Sequence, residues 1–576
     1  MASYLEQYKK WLSLSSLCDD YRRELESIAN DDQELRARFS RSLSFGTAGL
    51  RGIMRMGTNA MNIYTVAQAT TGLAMYIKSV GCGDRCVVIA YDSRNNSELF
   101  AKTAAEVLAA NGIKCYIFDS LRPTPELSFA LRYLNCIAGI NITASHNPKQ
   151  YNGYKAYWDD GAQLSPDQAT EIASFMQQVD IADIKKTPFE DGVRNGMIAI
   201  IGREVDNKYL EAVLEQAIDL DVIKKVADDL NIVYSPLHGA GYRLVPEIIS
   251  KIGIKNFHVV PEQAEPDGEF PTTKKPNPEY PEVFTYGIDL ANKVGSDLII
   301  ATDPDADRVG IMVREKNGQF VALNGNQTGS LLLDYIINSY IRSGNMPCEP
   351  YAVKSIVTTE LMAKICADNN VTLYNVLTGF KYIGEVIKKK EQSGHGTFIF
   401  GAEESYGYLK GTYARDKDAV VATMLICEMT AYYKQLGMTP ADALNNLYKK
   451  YGYSLEVTQE MIFDGHNGIS QMQDIMQSFR TSPLNSIGGI DIIETSDYLS
   501  GEVVKMIDRS KSSTGLPCSD VIRFRLCNDD VIIIRPSGTE PKIKAYYLLS
   551  APDKQNAQQK LSAYMTDITN FTTVKE

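Results

Sequence analysis

Four times along this chain a short apolar run breaks off into a loop crowded with carboxylates, hydroxyls, basic groups and prolines. Cys136 to Ile142 leads into Thr143-Ala-Ser-His-Asn-Pro148, and Leu298-Ile-Ile-Ala-Thr leads into Asp303-Pro-Asp-Ala-Asp-Arg308. Phe398-Ile-Phe leads into Gly401-Ala-Glu-Glu-Ser-Tyr-Gly407, and Val531-Ile-Ile-Ile leads into Arg535-Pro-Ser-Gly-Thr-Glu-Pro541. Short apolar runs stopped by proline or glycine read as strands. Around the first of them the pattern predicts a strand at Cys86 to Tyr91, a helix capped by Ser97 and closed near Gly112, a strand at Ile113 to Phe118 and a helix after Pro123. Strands alternating with helices specify an α/β fold with mainly parallel sheets. Such sheets bind ligands at the carboxyl ends of their strands, where all four loops stand, so the loops are candidates for one shared cleft.

With 576 residues the chain exceeds what one hydrophobic core can organise, and roughly 150 residues per domain suggests about four domains. Four modules, each offering one loop, give the segments 1–205, 206–324, 325–452 and 453–576. The last differs from the others, with several strand-like runs between Leu455 and Ser550 and a closing helix from Asp553, which suggests a smaller α+β domain. The first 40 residues read as a charged amphipathic helical lead-in. Phe45-Gly-Thr-Ala-Gly-Leu-Arg-Gly52, with three glycines, reads as a loop that contains Arg51.

Charge narrows the functional classes. Lys plus Arg number 59 and Asp plus Glu 71, a net charge of −12, which argues against a nucleic-acid surface. An anionic substrate must therefore meet a local basic cluster. The 10 cysteines lack metal-site spacing, and the closest pair, Cys82 and Cys86, has no second pair, so buried free thiols are expected. The first residues lack a signal-peptide core, and apolar runs such as Val420 to Cys427 are too short to span a bilayer. No membrane partner and a reducing, cytoplasmic location are the expectation. No feature of the sequence specifies an oligomeric state.

Asp303, Asp305 and Asp307 carry the strongest chemical signal. Carboxylates two residues apart point to one side of an extended chain, and their repulsion calls for a cation, the plain alternative being a solvated acidic turn. Extended, they would span about 13 Å, so the loop must curl to bring them together. Oxygen ligands without His or Cys favour Mg²⁺ or Ca²⁺. An EF-hand is excluded, since its sixth and twelfth positions would be Arg308 and Arg314.

Ser145 stands at a strand end, where a hydroxyl can enter a cleft or simply form a turn. The hydrolase elbow G-x-S-x-G is absent from the chain, and on extended backbone His146 would point to the other side. Near a metal, Ser145 could instead carry phosphate, with Arg51, Lys155 and Arg308 as electrostatic support. Arg535 to Glu540 reads as an anion cradle of guanidinium, hydroxyls and glycine backbone, with Lys544 close in sequence. Glu403 and Ser405 suit hydrogen bonds to sugar hydroxyls, or a structural turn. Thr378-Gly-Phe-Lys381 and Arg415-Asp-Lys417 add further polar and basic groups. No Walker A or G-x-G-x-x-G motif is present, so the phosphate belongs to a small substrate.

Together the four loops resemble those of the α-D-phosphohexomutase superfamily, in its phosphoglucomutase, phosphomannomutase and phosphopentomutase branches, over essentially the whole chain. The resemblance implies three related α/β domains with mixed, mainly parallel sheets and a smaller C-terminal α+β domain around a central cleft. It implies a phosphoserine at Ser145 and one Mg²⁺ per chain held by that phosphate, Asp303, Asp305 and Asp307. Arg51 would contact the phosphoserine, and His146 and Lys155 would assist proton transfer. Arg308, Thr378, Gly379, Lys381, Glu403, Ser405 and Lys417 would bind the sugar phosphate, and Arg535, Ser537, Gly538, Thr539 and Lys544 the phosphate that is not reacting. Glucose 1,6-bisphosphate would serve as activator.

The implied reaction interconverts hexose 1-phosphate and hexose 6-phosphate, with glucose favoured, through a bisphosphate intermediate. The sugar loop reads Glu-Glu-Ser-Tyr-Gly where many bacterial phosphomannomutase/phosphoglucomutase enzymes have Gly-Glu-Met-Ser-Gly followed by histidine. The chain length instead resembles the longer phosphoglucomutase branch, which also holds phosphopentomutases and glucose-1,6-bisphosphate synthases. A silent sugar-phosphate-binding protein would be expected to have lost Ser145 or an aspartate of the trio, and all four are present.

Overall fold

The structure, a computed structural model, describes residues 3–46, 49–463, 467–482, 484–537 and 541–573. The chain forms two compact units, one of Met1–Asn324, Ile383–Phe398 and Ser405–Thr439, the other of Gly325–Tyr382, Ile399–Glu404 and Pro440–Glu576.

The first unit holds two mixed sheets. One runs in the order Leu50–Ile53, Tyr151–Trp158, Ala138–Ile142, Val87–Tyr91, Cys115–Phe118 and Ile198–Ile201, with two antiparallel pairings followed by three parallel ones. Val87–Tyr91 is buried along its whole length, as a central strand covered on both faces must be. Helices Ser97–Ala110 and Thr124–Tyr133 pack on this sheet, and Leu108, Ile89 and Ile140 meet in its core. Full burial of each such side chain stabilises by about 1.5–3 kcal/mol. The other sheet runs Phe320–Leu323, Val309–Arg314, Leu298–Thr302, Asn231–Ser235 and Asn256–Val259, again two antiparallel pairings and then two parallel ones.

Both sheets position a loop in the same way. A fully buried strand ends, the loop turns, and the chain returns antiparallel beside the strand it has just left. Ala138–Ile142 returns as Tyr151–Trp158 with Asn141 opposite Lys155, and Leu298–Thr302 returns as Val309–Arg314 with Thr302 opposite Val309. Each loop is thereby anchored at both ends by a strand ladder.

In the second unit Thr372–Val376 pairs parallel with Pro350–Ser355, which is flanked by the strand Thr397–Glu403, of which Ile399 onward belongs to this unit. The last segment is an antiparallel sheet in the order Tyr453–Ile462, Lys542–Ala551, Val531–Pro536, Ile522–Leu526, Ile490–Asp497, Glu502–Lys505 and Lys511–Ser513. Its strand Ile522–Leu526 alternates buried and half-buried residues, the pattern of a sheet covered on one face. Helices Gly468–Thr481 and Lys554–Thr573 cover that face around Phe479, Phe524, Tyr547 and Ile568.

Several expectations change. The helical lead-in is three helices, Tyr4–Leu12, Asp19–Ser27 and Asp32–Phe39, folded around Trp11, Leu25 and Phe39. Arg51 lies in a strand, not a loop, because Leu50–Ile53 pairs with Tyr151–Tyr154; a Cβ at Gly153 would come within 2.5 Å of the Thr143 carbonyl oxygen, so glycine permits this close approach. Asn96, at φ 63°, precedes the helix that Ser97 was expected to cap; the Ser97 hydroxyl instead donates to Asp92 Oδ1 at 2.7 Å. Glu403 and Arg535 sit on strands that run further than their apolar residues. The helix Gly468–Thr481 was not expected. All ten cysteines are free, but only Cys115, Cys136, Cys366 and Cys427 are buried, while Cys18, Cys348, Cys518 and Cys527 are exposed. Among the described residues no helix is long and apolar enough to cross a membrane.

Candidate active site

Beyond the strand Ala138–Ile142 the chain turns sharply at Ser145, whose φ of 52° is left-handed and costs a non-glycine residue about 1–2 kcal/mol. The Thr143 hydroxyl accepts the Ser145 N–H at 2.8 Å. Buried Arg94 donates to the carbonyls of Ser145, Asn147, Pro148 and Tyr151, the last two at 3.0 and 3.1 Å, and so clamps the whole turn. Sequence reasoning missed Arg94. Its signal was there, because Asp92-Ser-Arg94 is one more polar loop that directly follows a buried strand.

The turn aims Ser145 Oγ at Asp303, donating to Oδ2 at 2.9 Å, while His146 Nδ1 stands 3.1 Å from the same Oγ. His146 therefore lies on the same side as Ser145, contrary to expectation. The expectation assumed extended backbone, and the left-handed Ser145 is not extended. Burial, followed by the positive charges of Arg308 and Arg51, holds the His146 imidazole well below its ordinary pKa and hence neutral. Arg51 itself is exposed and donates to Asn147 Oδ1 at 3.3 Å.

The aspartate loop curls as the spacing requires. Asp303 Oδ1 accepts the N–H groups of Asp307 and Arg308 at 3.0 and 2.9 Å, and Ala306 takes a left-handed φ of 50°. The three buried carboxylates come within 4.8 Å of one another. Asp305 Oδ2 accepts from Thr124 Oγ1 and from Lys155 Nζ, both at 2.7 Å. Asp307 Oδ2 faces Lys155 Nζ at 3.1 Å and Lys417 Nζ at 3.2 Å; Lys417 also meets Asp416 Oδ1 at 3.0 Å. Arg308 turns its guanidinium to Glu279 at 2.6 Å.

Each carboxylate thus has one oxygen fixed by protein donors. Of the others, Asp303 Oδ2 faces the serine, and Asp305 Oδ1 and Asp307 Oδ1 are buried with no hydrogen-bond partner. Buried carboxylate oxygens left without a donor suit a hard divalent cation. The electrostatics agree: burial and then repulsion from Asp305 and Asp307 push the Asp303 carboxyl well up. Burial works the same way on Asp305, but the Lys155 ammonium outweighs it and holds that carboxyl down.

Within the second unit, Thr378 and Gly379 gather two of the expected groups. Arg535 Nη1 donates to Thr378 Oγ1 at 2.8 Å, and the Gly379 N–H donates to Glu403 Oε1 at 2.7 Å. Lys544 lies opposite Arg535 in the strand ladder and pairs with Glu460 at 3.0 Å, and the Ser537 N–H donates to the Lys542 carbonyl at 2.8 Å. Lys381 Nζ lies 4.8 Å from the Tyr382 ring centroid. Gly538 and Thr539 lie outside the described residues. Ser405, in the first unit, is half-buried in the turn after Glu403. Sequence reasoning also passed over Glu404, whose Oε2 accepts from Ser355 Oγ at 3.0 Å and Thr358 Oγ1 at 3.3 Å.

Comparison with known proteins bears on this geometry. Residues 42–182, 207–318 and 324–451 match the family models for phosphoglucomutase/phosphomannomutase alpha/beta/alpha domains I, II and III. The chain is 37% identical over 539 residues to a phosphoglucomutase of Staphylococcus saprophyticus, covering 93% of this chain and 96% of that one. It is 39% identical over 536 residues to a phosphoglucomutase of Staphylococcus aureus, covering 92% and 94%. Among solved structures, the open form of the Paramecium phosphoglucomutase parafusin superposes with a TM-score of 0.67 at 18% identity, covering 92% of this chain and 96% of that one. A phosphoglucomutase/phosphomannomutase family protein of Burkholderia thailandensis superposes with a TM-score of 0.65 at 17% identity, covering 92% and 97%. At that identity the two structures speak for the fold.

Proposed function

As a member of the phosphoglucomutase/phosphomannomutase family, the chain is a phosphohexomutase, an intramolecular phosphotransferase of the isomerase class, and we propose that it interconverts glucose 1-phosphate and glucose 6-phosphate through phospho-Ser145. The observation that carries the reading is the hydrogen bond from Ser145 Oγ to Asp303, a carboxylate of the buried trio. A carrier hydroxyl stands at a site fitted for a hard cation.

In the proposed cycle phospho-Ser145 transfers its phosphoryl group to the free hydroxyl of a sugar monophosphate. The P–O bond to Ser145 breaks, a P–O bond to the sugar forms, and the sugar hydroxyl proton passes to the enzyme. The bisphosphate then presents its other phosphate, which returns to Ser145 by the reverse steps. Neutral His146, 3.1 Å from Ser145 Oγ, is placed to exchange a proton with it. Lys155 is held protonated: burial opposes its charge, but Asp305 and Asp307 outweigh burial. It supplies positive charge beside the transferring group and a proton when the serine oxygen leaves. Asp303 Oδ2, Asp305 Oδ1 and Asp307 Oδ1 are the oxygens that would hold Mg²⁺, which when bound neutralises charge on the phosphoryl group.

Arg51 would contact the phosphoserine, Arg308 and Lys417 would support the anionic substrate, and Glu403 and Ser405 would grip sugar hydroxyls. Arg535, Ser537, Gly538, Thr539 and Lys544 would hold the resting phosphate, and Thr378, Gly379 and Lys381 would bind substrate as well. Glucose 1,6-bisphosphate is the proposed activator. The segments 1–205, 206–324, 325–452 and 453–576 are the proposed functional divisions, and a cytoplasmic location fits the ten free cysteines.

The experiment is kcat/KM for glucose 1-phosphate, mannose 1-phosphate and ribose 1-phosphate side by side, with Mg²⁺ and a trace of glucose 1,6-bisphosphate. A hexose preference led by glucose supports the proposal. A pentose preference would overturn the substrate while leaving Ser145 and the aspartate trio in their roles.

A further inference from the structure

We infer that Thr124 and Asn141 are positioning residues for Asp305, forming a buried relay that fixes which oxygen of this carboxylate is left for the cation. The inference rests on the metal-site reading above and extends it to two residues outside the four loops. Thr124 opens the helix Thr124–Tyr133, so its backbone N–H has no partner within the helix. That N–H donates to the Asp305 carbonyl at 2.8 Å, and the Thr124 hydroxyl donates to Asp305 Oδ2 at 2.7 Å. Asn141 Nδ2 in turn donates to Thr124 Oγ1 at 2.6 Å, which commits the hydroxyl proton to Asp305. All three residues have 0% exposure, so none of these links is made by bulk solvent.

The strand register completes the device. Asn141 lies directly opposite Lys155, and directly opposed residues share a face of the sheet. The Asn141–Thr124 relay and the Lys155 ammonium therefore meet at the same oxygen, Oδ2. With Oδ2 doubly bonded, rotation of the carboxylate is blocked and the partnerless Oδ1 is held in place. Groups that hold a ligand's other face typically tune metal affinity 10- to 100-fold, about the range expected here.

The test titrates Mn²⁺ into EDTA-stripped, dephosphorylated full-length protein and reads free Mn²⁺ by electron paramagnetic resonance, with thermal unfolding in EDTA as a check on folding. Thr124→Val should weaken Mn²⁺ binding about tenfold, Thr124→Ser should stay within about threefold of wild type, and Asn141→Ala should lose about threefold. Because Asn141 acts through Thr124, adding Asn141→Ala to Thr124→Val should cost no further affinity. The inference is overturned if Thr124→Val binds like wild type, if Thr124→Ser is as weak as Thr124→Val, or if the two losses multiply. Should Thr124→Val fail to fold, unchanged affinity in Asn141→Ala overturns it. Asp305→Asn is run alongside: wild-type binding in that variant means that the metal-site reading has failed, whereas loss there with none in Thr124→Val means that only the relay has.

Discussion

Ser145 and Asp303 lie 158 residues apart in sequence, yet Ser145 Oγ donates to Asp303 Oδ2 at 2.9 Å. The contact joins two loops built on separate sheets, each anchored between a buried strand and its antiparallel return.

If Ser145 carries the phosphoryl group, Ser145→Ala will abolish mutase turnover by about a thousandfold or more while leaving sugar-phosphate binding. Alanine has to accept the same left-handed φ as serine, so folding should be little changed. Turnover assays and calorimetric binding of glucose 6-phosphate separate the two effects, and residual turnover near wild type would sink the phosphoserine mechanism.

Arg535 Nη1 donates to Thr378 Oγ1 at 2.8 Å, and the proposed function assigns this guanidinium to the resting phosphate. Arg535→Ala should raise KM by about 30-fold, from roughly 2 kcal/mol of lost charged hydrogen bonding, with a smaller change in kcat. Steady-state kinetics with glucose 1-phosphate decide it. An unchanged KM would mean that this residue does not meet the substrate.

Gly239 supports the aspartate loop from outside. A Cβ there would lie 2.4 Å from Pro304 Cα and 2.7 Å from its carbonyl oxygen, and the next N–H, of Ala240, donates to that oxygen at 2.7 Å. Backbone on both sides cannot give way cheaply, so Gly239→Ala should destabilise by about 1–3 kcal/mol and also weaken divalent-cation binding. Urea unfolding and Mn²⁺ titration should move together. A stable variant with normal affinity would contradict the packing described.

Glu456, on the strand Tyr453–Ile462, is raised from 4.5 to about 7 by burial, partly offset by the Thr359 hydroxyl that donates to it. The folded state therefore holds a proton that the unfolded chain releases at lower pH. Its contribution to stability is full below pH 4.5 and is lost as pH rises to about 7, the values that bound the shift. Glu456→Gln keeps an acceptor for Thr359 and removes the titration. The difference in urea midpoint between variant and wild type should grow in the variant's favour from pH 4.5 to 7 and then level off. A difference that is constant across that range would refute the assignment.

The sequence by itself determined the alternation of strands and helices, the strand-end placement of Ser145 and the aspartates, and the need for the aspartate loop to curl. These follow from local properties: apolar runs demand burial, proline stops a strand, and three carboxylates in five residues repel one another. Family membership was also legible, because the four loops recur in order along one chain. Tertiary structure alone decided the rest. It made Arg51 a strand residue by pairing it with Gly153, and it turned His146 toward Ser145 through a left-handed backbone angle. It brought Arg94 onto the serine turn and Thr124 onto Asp305. Which donor satisfies a buried carbonyl or carboxylate depends on what the folded chain brings within about 3 Å of it, and side-chain type at a single position does not encode that.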